Sequence, residues 1–224
     1  MTWKRGILMK KKIALLVYPA FSLQEIANLL RLFRWQYDTI TDIIYTEKIA
    51  VKSEEGITVM PDKTCDEFFP IDYDCLILSG CSDIRMALRN QKLKDFLSTF
   101  KDNSDFIIAA ICSAPLFLAQ AGLLHEKKYT DSLFVEMRNF FYFVEEENFL
   151  PLPVVEDGNI ITANGSAFND FAVHLAKKLG YECQSPIFSG YINSWKKDDY
   201  LHHLSNESQE DFLKEFKDFK CKQE

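Results

Sequence analysis

The sequence predicts an α/β protein, an open and mostly parallel sheet with helices on both faces. Three observations predict it. Residues 13–17, 75–78 and 106–111 are short, uninterrupted apolar runs bounded by charged or turn residues, the pattern of strands buried on both faces. Segments with helical spacing of apolar residues alternate with these runs. Gly122 and Gly180 stand where two of those helices should stop, as residues that enter the left-handed region without penalty.

Taken in order, residues 13–17 lie between lysines and Pro19 and suit a first central strand. Ser22-Leu23-Gln24-Glu25 reads as a capping box, and Ile26, Leu29, Leu30 and Phe33 continue one helical face toward Trp35. Residues 42–45 suit a second strand. Residues 49–51 and 57–60, joined through Glu54-Glu55-Gly56, suit a small hairpin ended by Pro61. Residues 75–78, introduced by Asp72-Tyr73-Asp74 and closed by Ser79-Gly80, form the next buried strand, and residues 88–100 have helical periodicity. Residues 106–111 make the clearest parallel strand, followed by a short helix over 113–121. A hairpin is expected over 154–161 around Asp157-Gly158, then an amphipathic helix over 167–179. The aromatic cluster Phe140-Phe141-Tyr142-Phe143 reads as core or interface packing. Phe212, Leu213, Phe216 and Phe219 have helical spacing among charges, which suggests a terminal helix docked on the domain or on a second subunit. The expected organisation is a basic extension over 1–11, one domain over 12–182 and a helical extension over 183–224.

Composition narrows the function classes. With 224 residues, 47% of them hydrophobic, the chain can bury a substantial core. A formal charge of −7 and a pI near 5.2 argue against a nucleic-acid surface, which needs concentrated Lys and Arg, and leave room for a small neutral or cationic ligand. The apolar stretches fall far short of the roughly 20 residues that span a bilayer, so no membrane contact is expected. The basic start has only a brief apolar patch at 7–9 and no cleavage site, which argues against a signal peptide; Met9 is an alternative start. Cys65, Cys75, Cys81, Cys112, Cys183 and Cys221 show no C-x-x-C spacing, so neither a zinc framework nor a disulfide scaffold is suggested. The expectation is a reducing cytoplasm, with no metal and no cofactor.

The chemistry centres on Cys112, where a buried strand runs directly into a helix. Such a junction tolerates only small neighbours, which Ser113 and Ala114 supply, and Pro115 suits a first helical turn. The thiol would project above the carboxyl edge of the sheet, where α/β folds place their sites. Unpaired N–H groups and the positive helix end would favour thiolate over thiol. A cysteine after an apolar strand is, by itself, more often a small buried hydrophobe.

The surrounding pattern changes that reading. Residues 12–181 resemble the ThiJ/PfpI superfamily, the class I glutamine amidotransferase-like group that includes the parkinsonism-linked deglycase, bacterial intracellular proteases and isocyanide hydratases. The resemblance rests on four motifs in order: the opening strand with Glu25 early in the next helix, the Asp72 to Gly80 strand segment, the Cys112 elbow with its Ala121-Gly122-Leu123-Leu124 exit, and Ile161-Thr162-Ala163-Asn164-Gly165 before a helix. It implies a flavodoxin-like three-layer sandwich and a homodimer. It also implies that Glu25 approaches the thiol as a proton partner, against the alternative that Glu25 only completes the capping box. An oxyanion hole is implied at Gly80-Cys81, with Ser113 contributing an N–H. Cys81 replaces the second glycine usual there; a disulfide or sulfenate-resolving role is weighed against ordinary packing.

Histidine is where the sequence departs from the pattern. Relatives carry His after the cysteine or in a Thr-Thr-His stretch beyond the elbow helix, whereas this chain has Ser113 and Tyr129-Thr130-Asp131. Asp131 is a candidate for the vacant place, with a surface or helix-capping Asp ahead of Ser132 as the alternative. His125 lies beyond the far end of the elbow helix, and His174, His202 and His203 read as structural or solvated. A glutamine amidotransferase or a Cys-His protease is therefore disfavoured. What is expected is a Cys–Glu site acting on a small electrophilic substrate by hydration, lyase or hydrolase chemistry. The alternative is a non-catalytic stress-response module in which an oxidant reversibly modifies the same cysteine.

Overall fold

In the computed structural model, which describes residues 12–183 and, beyond them, Asn206, Glu210 and Lys214 alone, seven strands form one sheet. The elements in chain order are β1 (Lys12–Leu16), α1 (Gln24–Tyr37), β2 (Ile40–Tyr45), β3 (Val51–Lys52), β4 (Thr58–Val59), β5 (Lys63–Thr64), β6 (Cys75–Leu78), α2 (Ile84–Leu88), α3 (Gln91–Ser98), β7 (Ile107–Ile111), α4 (Pro115–Gln120), α5 (Val135–Phe140), β8 (Val154–Asp157), β9 (Ile160–Ala163) and α6 (Phe168–Lys178). The sheet order is β5-β2-β1-β6-β7-β9-β8, parallel throughout except for β8, which pairs antiparallel with β9. The short strands β3 and β4 form a separate antiparallel hairpin. The chain divides into two compact units, Met1–Phe188 and Ser189–Glu224. The basic extension, the expected helix over 211–219 and all but Cys183 and three positions of the 183–224 extension lie outside the described residues.

The central strands are wholly apolar because both their faces are covered. Every residue of β6 and all but the first residue of β1 and β7 are buried. The right-handed crossover rule explains the two helical layers. The β1-to-β2 connection moves toward one edge and the β6-to-β7 connection toward the other, so α1 lies on one face and α2 and α3 on the opposite one. Accordingly α1 packs against α6, and α3 packs against α4. The parallel register pairs Leu16 with Leu78, Leu78 with Ala110, and Ala110 with Thr162, which aligns the carboxyl ends of four strands. This is an α/β fold of the flavodoxin-like kind, with ligand sites expected at that edge.

Three local expectations are revised. The capping box at α1 does not form: the Ser22 N–H donates to the Gly80 carbonyl at 2.8 Å and is not available to Glu25. Glu55, from the hairpin turn, instead accepts from the N–H groups of Leu23 at 3.1 Å and Gln24 at 2.9 Å, and from the Ser22 hydroxyl at 3.4 Å. The helical stretch at 88–100 shortens to α3, because Asn90 caps a new start by accepting from Leu93 N–H, and α2, capped by Asp83 accepting from Arg85 N–H, precedes it where no helix was expected. The aromatic cluster is core only in part: Phe143 packs against the core, whereas Phe140 and Tyr142 are 80% and 95% exposed. Among the described residues no helix is long and apolar enough to cross a membrane.

Candidate active site

Cys112 follows β7 directly with φ of +63°, a left-handed conformation that costs a non-glycine residue about 1–2 kcal/mol. Hydrogen bonds hold it there. Its N–H donates to the Ala163 carbonyl at the end of β9, 2.8 Å away, and its carbonyl accepts from the Ser132 N–H at 2.9 Å. Ser113 and Ala114 are buried behind it and the side chain is partly exposed. The strain therefore aims a sulfur over the carboxyl edge of the sheet.

Glu25 sits in the first turn of α1, just beyond β1, and reaches across the end of β6. Its Oε2 accepts from the Gly80 N–H at 2.9 Å, and its carboxyl is hydrogen-bonded to the Cys112 thiol. Two glycines make this approach sterically feasible. A Cβ on Gly80 would lie 2.6 Å from Cys112 Cβ and 2.6 Å from Glu25 Oε2; one on Gly165 would lie 2.8 Å from Glu25 Oε1 and 3.0 Å from Cys112 Sγ. Gly80 and Gly165 thus form opposite walls of a slot that holds a thiol and a carboxyl together.

The electrostatics oppose the sequence expectation of a ready thiolate. Burial pushes the Cys112 thiol up, and the Glu25 charge and hydrogen bond push it further; the Ser132 hydroxyl and the Ser113 N–H pull in the other direction. Burial likewise raises Glu25, against the stabilising bonds from Cys112 and Gly80. Two negative charges in one slot repel, so the thiol beside an ionised Glu25 holds its proton longer than it would alone. The elbow argument counted the local donors and omitted what the fold brings beside them.

The other sequence candidates fall around this pair. The Cys81 N–H donates to Ser113 Oγ at 2.8 Å, and that hydroxyl donates back to the Cys81 carbonyl at 3.1 Å, with Cys81 Sγ 3.7 Å away. The Gly80 and Cys81 amides are therefore engaged within the protein, and the Ser113 amide is the one bonded to the sulfur. Cys81 itself is buried, its thiol pushed up to about 12 by desolvation. Asp131 is buried and turned inward, where it accepts from the Leu133 N–H at 3.0 Å and from Arg138 Nη1 at 2.8 Å. At this point in the chain it is Ser132 that reaches Cys112. His125 pairs with Glu145 and His174 with Glu156, while His202 and His203 lie outside the described residues.

Sequence reasoning missed three residues here. Gly165 lay within a quoted motif but was not read as a wall of the site, and Ser132 is one position from a residue that was singled out. Tyr18 is fully buried, donates its hydroxyl to the Ser79 carbonyl, and lies edge-on to Phe117 with centroids 5.0 Å apart. Burial raises its phenol, and the charges of Cys81, Glu25 and Cys112 raise it further.

The central strand of a parallel α/β sheet thus turns into a helix through a cysteine at positive φ. The pattern of the DJ-1/PfpI family matches residues 11–178, and the chain belongs to that family. It is 32% identical over 153 residues to the uncharacterized protease YoaZ of Bacillus subtilis, covering 67% of this chain and 72% of the relative. It is 29% identical over 151 residues to protein DJ-1alpha of Drosophila melanogaster, covering 65% and 67%. Further relatives carry the names isonitrile hydratase and protein/nucleic acid deglycase 2. The crystal structure of a DJ-1 superfamily protein from Agrobacterium tumefaciens shares the fold, with a TM-score of 0.68 and 23% identity over 94% of this chain and 100% of that one.

Proposed function

We propose that the chain is a cysteine-dependent enzyme of hydration, lyase or hydrolase type acting on a small electrophile, with Cys112 as nucleophile and Glu25 as proton carrier. The contact between the Glu25 carboxyl and the Cys112 thiol, in a slot walled by Gly80 and Gly165, carries this reading. As the sulfur adds to the carbon of a C=X bond, the thiol proton passes to ionised Glu25 and from there to X. One C–S and one X–H bond form, the C=X π bond is lost, and the carboxylate is regenerated. The Ser113 N–H supports negative charge at the sulfur, while Gly80 and Cys81 act by holding Glu25 and the Ser113 hydroxyl. Asp131 acts through Arg138 on the segment beside the site.

A second reading is reversible oxidation of Cys112 without turnover. It draws support from the histidines among the described residues, both of which are paired elsewhere. A panel of small electrophiles, with product counted per chain for wild type and Cys112→Ser, separates the two. Multiple turnovers lost in the variant support catalysis; a single adduct on Cys112 without turnover supports the second reading and sinks the first. A homodimer in a reducing cytoplasm belongs to the same proposal, supported by the unbridged Cys65, Cys81, Cys112 and Cys183 and by the exposed apolar Phe134, Val135 and Phe140.

A further inference from the structure

The segment after the elbow helix is fixed from both sides. The Thr130 N–H donates to Thr162 Oγ1 at 2.9 Å, and the Asp131 carbonyl accepts from Asn164 Nδ2 at 3.1 Å. The Ser132 N–H is tied to the Cys112 carbonyl. Buried Arg138 then clamps the next turn, donating to Asp131 Oδ1 and to the Leu133 carbonyl, both at 2.8 Å, while its guanidinium lies 3.9 Å over the Phe149 ring and pairs with Glu146 at 2.7 Å. Ser132 therefore stands on backbone that cannot turn away from the sulfur.

Its hydroxyl is fixed in sense as well as in place. Ser132 Oγ accepts from the Gly165 N–H at 2.7 Å, which takes a lone pair and leaves the hydroxyl its single proton to give. Cys112 Sγ lies against the same glycine, 3.0 Å from where a Gly165 Cβ would stand, so the Ser132 hydroxyl and the sulfur meet around one residue that has no side chain to part them. The thiol's one proton is directed to the Glu25 carboxyl, so toward Ser132 the sulfur offers a lone pair and the bond runs from oxygen to sulfur. We propose that Ser132 is a dedicated hydrogen-bond donor to Cys112 that stabilises the thiolate, oriented by the Gly165 amide and held by the Asp131–Arg138 clamp.

This deepens the reading of Cys112 as the nucleophile and rests on it. The proton is accepted by Glu25, on α1, while the charge left on sulfur is stabilised by Ser132, on the opposite side of the slot. Glu25 raises the thiol and Ser132 lowers it, so the two act in opposition on the same atom.

The test is the pH dependence of iodoacetamide alkylation at Cys112, followed by peptide mass mapping in the full chain from about pH 6 to about pH 11. It is run for wild type, Ser132→Ala and Ser132→Thr. Ser132 is exposed, so both variants keep the fold, and thermal melts check this. Ser132→Ala is expected to raise the apparent pKa of Cys112 by about one unit, slowing alkylation about tenfold below it, and Ser132→Thr to follow wild type. An alanine curve superimposable on wild type overturns the assignment, as does a threonine curve displaced as far as the alanine one. Alkylation needs no turnover, so the proposal fails or stands separately from the enzymatic reading. Loss of turnover with an unmoved alkylation curve counts against Ser132 as a donor.

Discussion

Replacing Glu25 by Gln keeps the length of the side chain and an oxygen to accept from the Gly80 N–H, and removes the charge. In wild type the Cys112 thiol is raised first by burial and then by that charge and its hydrogen bond; Glu25→Gln removes the latter causes and leaves burial. Unit charges about 4 Å apart interact by about 4 kcal/mol at an effective dielectric near 20. Glu25 is only partly buried, so solvent screening reduces this by half or more. The apparent pKa of Cys112 should therefore fall by about one to two units. The assay is the alkylation profile described for Ser132, and the sign is opposite: below the pKa of its thiol the Glu25→Gln variant alkylates faster. Turnover on any electrophile that the wild type accepts should move the other way, falling about 100-fold or more with the proton carrier gone. Folding should be unaffected or slightly favoured, since Glu55 rather than Glu25 caps α1. Glu25 is raised in the folded state, so it favours folding only at acid pH, and that contribution is lost as pH rises through its folded value; the amide removes this dependence. Superimposable alkylation curves for two folded proteins would refute the pairing and leave the enzymatic reading without a proton carrier.

Gly80→Ala should separate the pair from the other wall, since its Cβ meets the elbow's own Cβ at 2.6 Å, an atom that cannot rotate away. We expect a loss of about 1–3 kcal/mol and a melting temperature lower by about 2–12 °C, read by calorimetry; an unchanged melt would mean that the slot is looser than described. Glu55→Ala should cost about 1 kcal/mol at neutral pH through the lost α1 cap. The Glu55 carboxyl is held down to about 2 by the Gln24 and Leu23 amides and Ser53, although burial opposes them. The advantage of wild type over the alanine variant should therefore be complete above the ordinary value of 4.5 and vanish as pH falls through about 2, measured by urea midpoints; a difference independent of pH would reject the cap. Light scattering at micromolar concentration should give twice the chain mass of 26.0 kDa, and a monomer alone would reject the dimer.

The central strands were legible because a strand covered on both faces has to be apolar at its buried positions, as β1, β6 and β7 are. The turns at Gly122, Gly158 and Gly180 were legible because each takes a positive φ. The helix α2 was not, since its five residues are too few to show helical spacing and only the Asp83 side chain, accepting from Arg85 N–H, marks its start. Cys112 was readable as a candidate because it follows a strand directly, and Glu25 because the resemblance carries an early glutamate to its place. The choice between Asp131 and Ser132 was not, because one step along the chain reverses which side chain faces inward, and the buried Arg138 that claims Asp131 comes from the next helix.

The sequence by itself determined the order of strands and helices, the position of the elbow and the residue types available at its edge. Tertiary structure decided what those residues do. Ser22-Leu23-Gln24-Glu25 carries every local feature of a capping box, yet the Gly80 carbonyl takes the Ser22 amide and Glu55 takes the helix end. Glu25 is thereby released toward the sulfur. The protonation of that sulfur was likewise beyond local reading, because it depends on burial, on the charge that α1 brings and on the Ser132 hydroxyl. Hydrogen bonds and Coulomb terms act through space, and which groups share that space is set by strand order and register rather than by spacing along the chain.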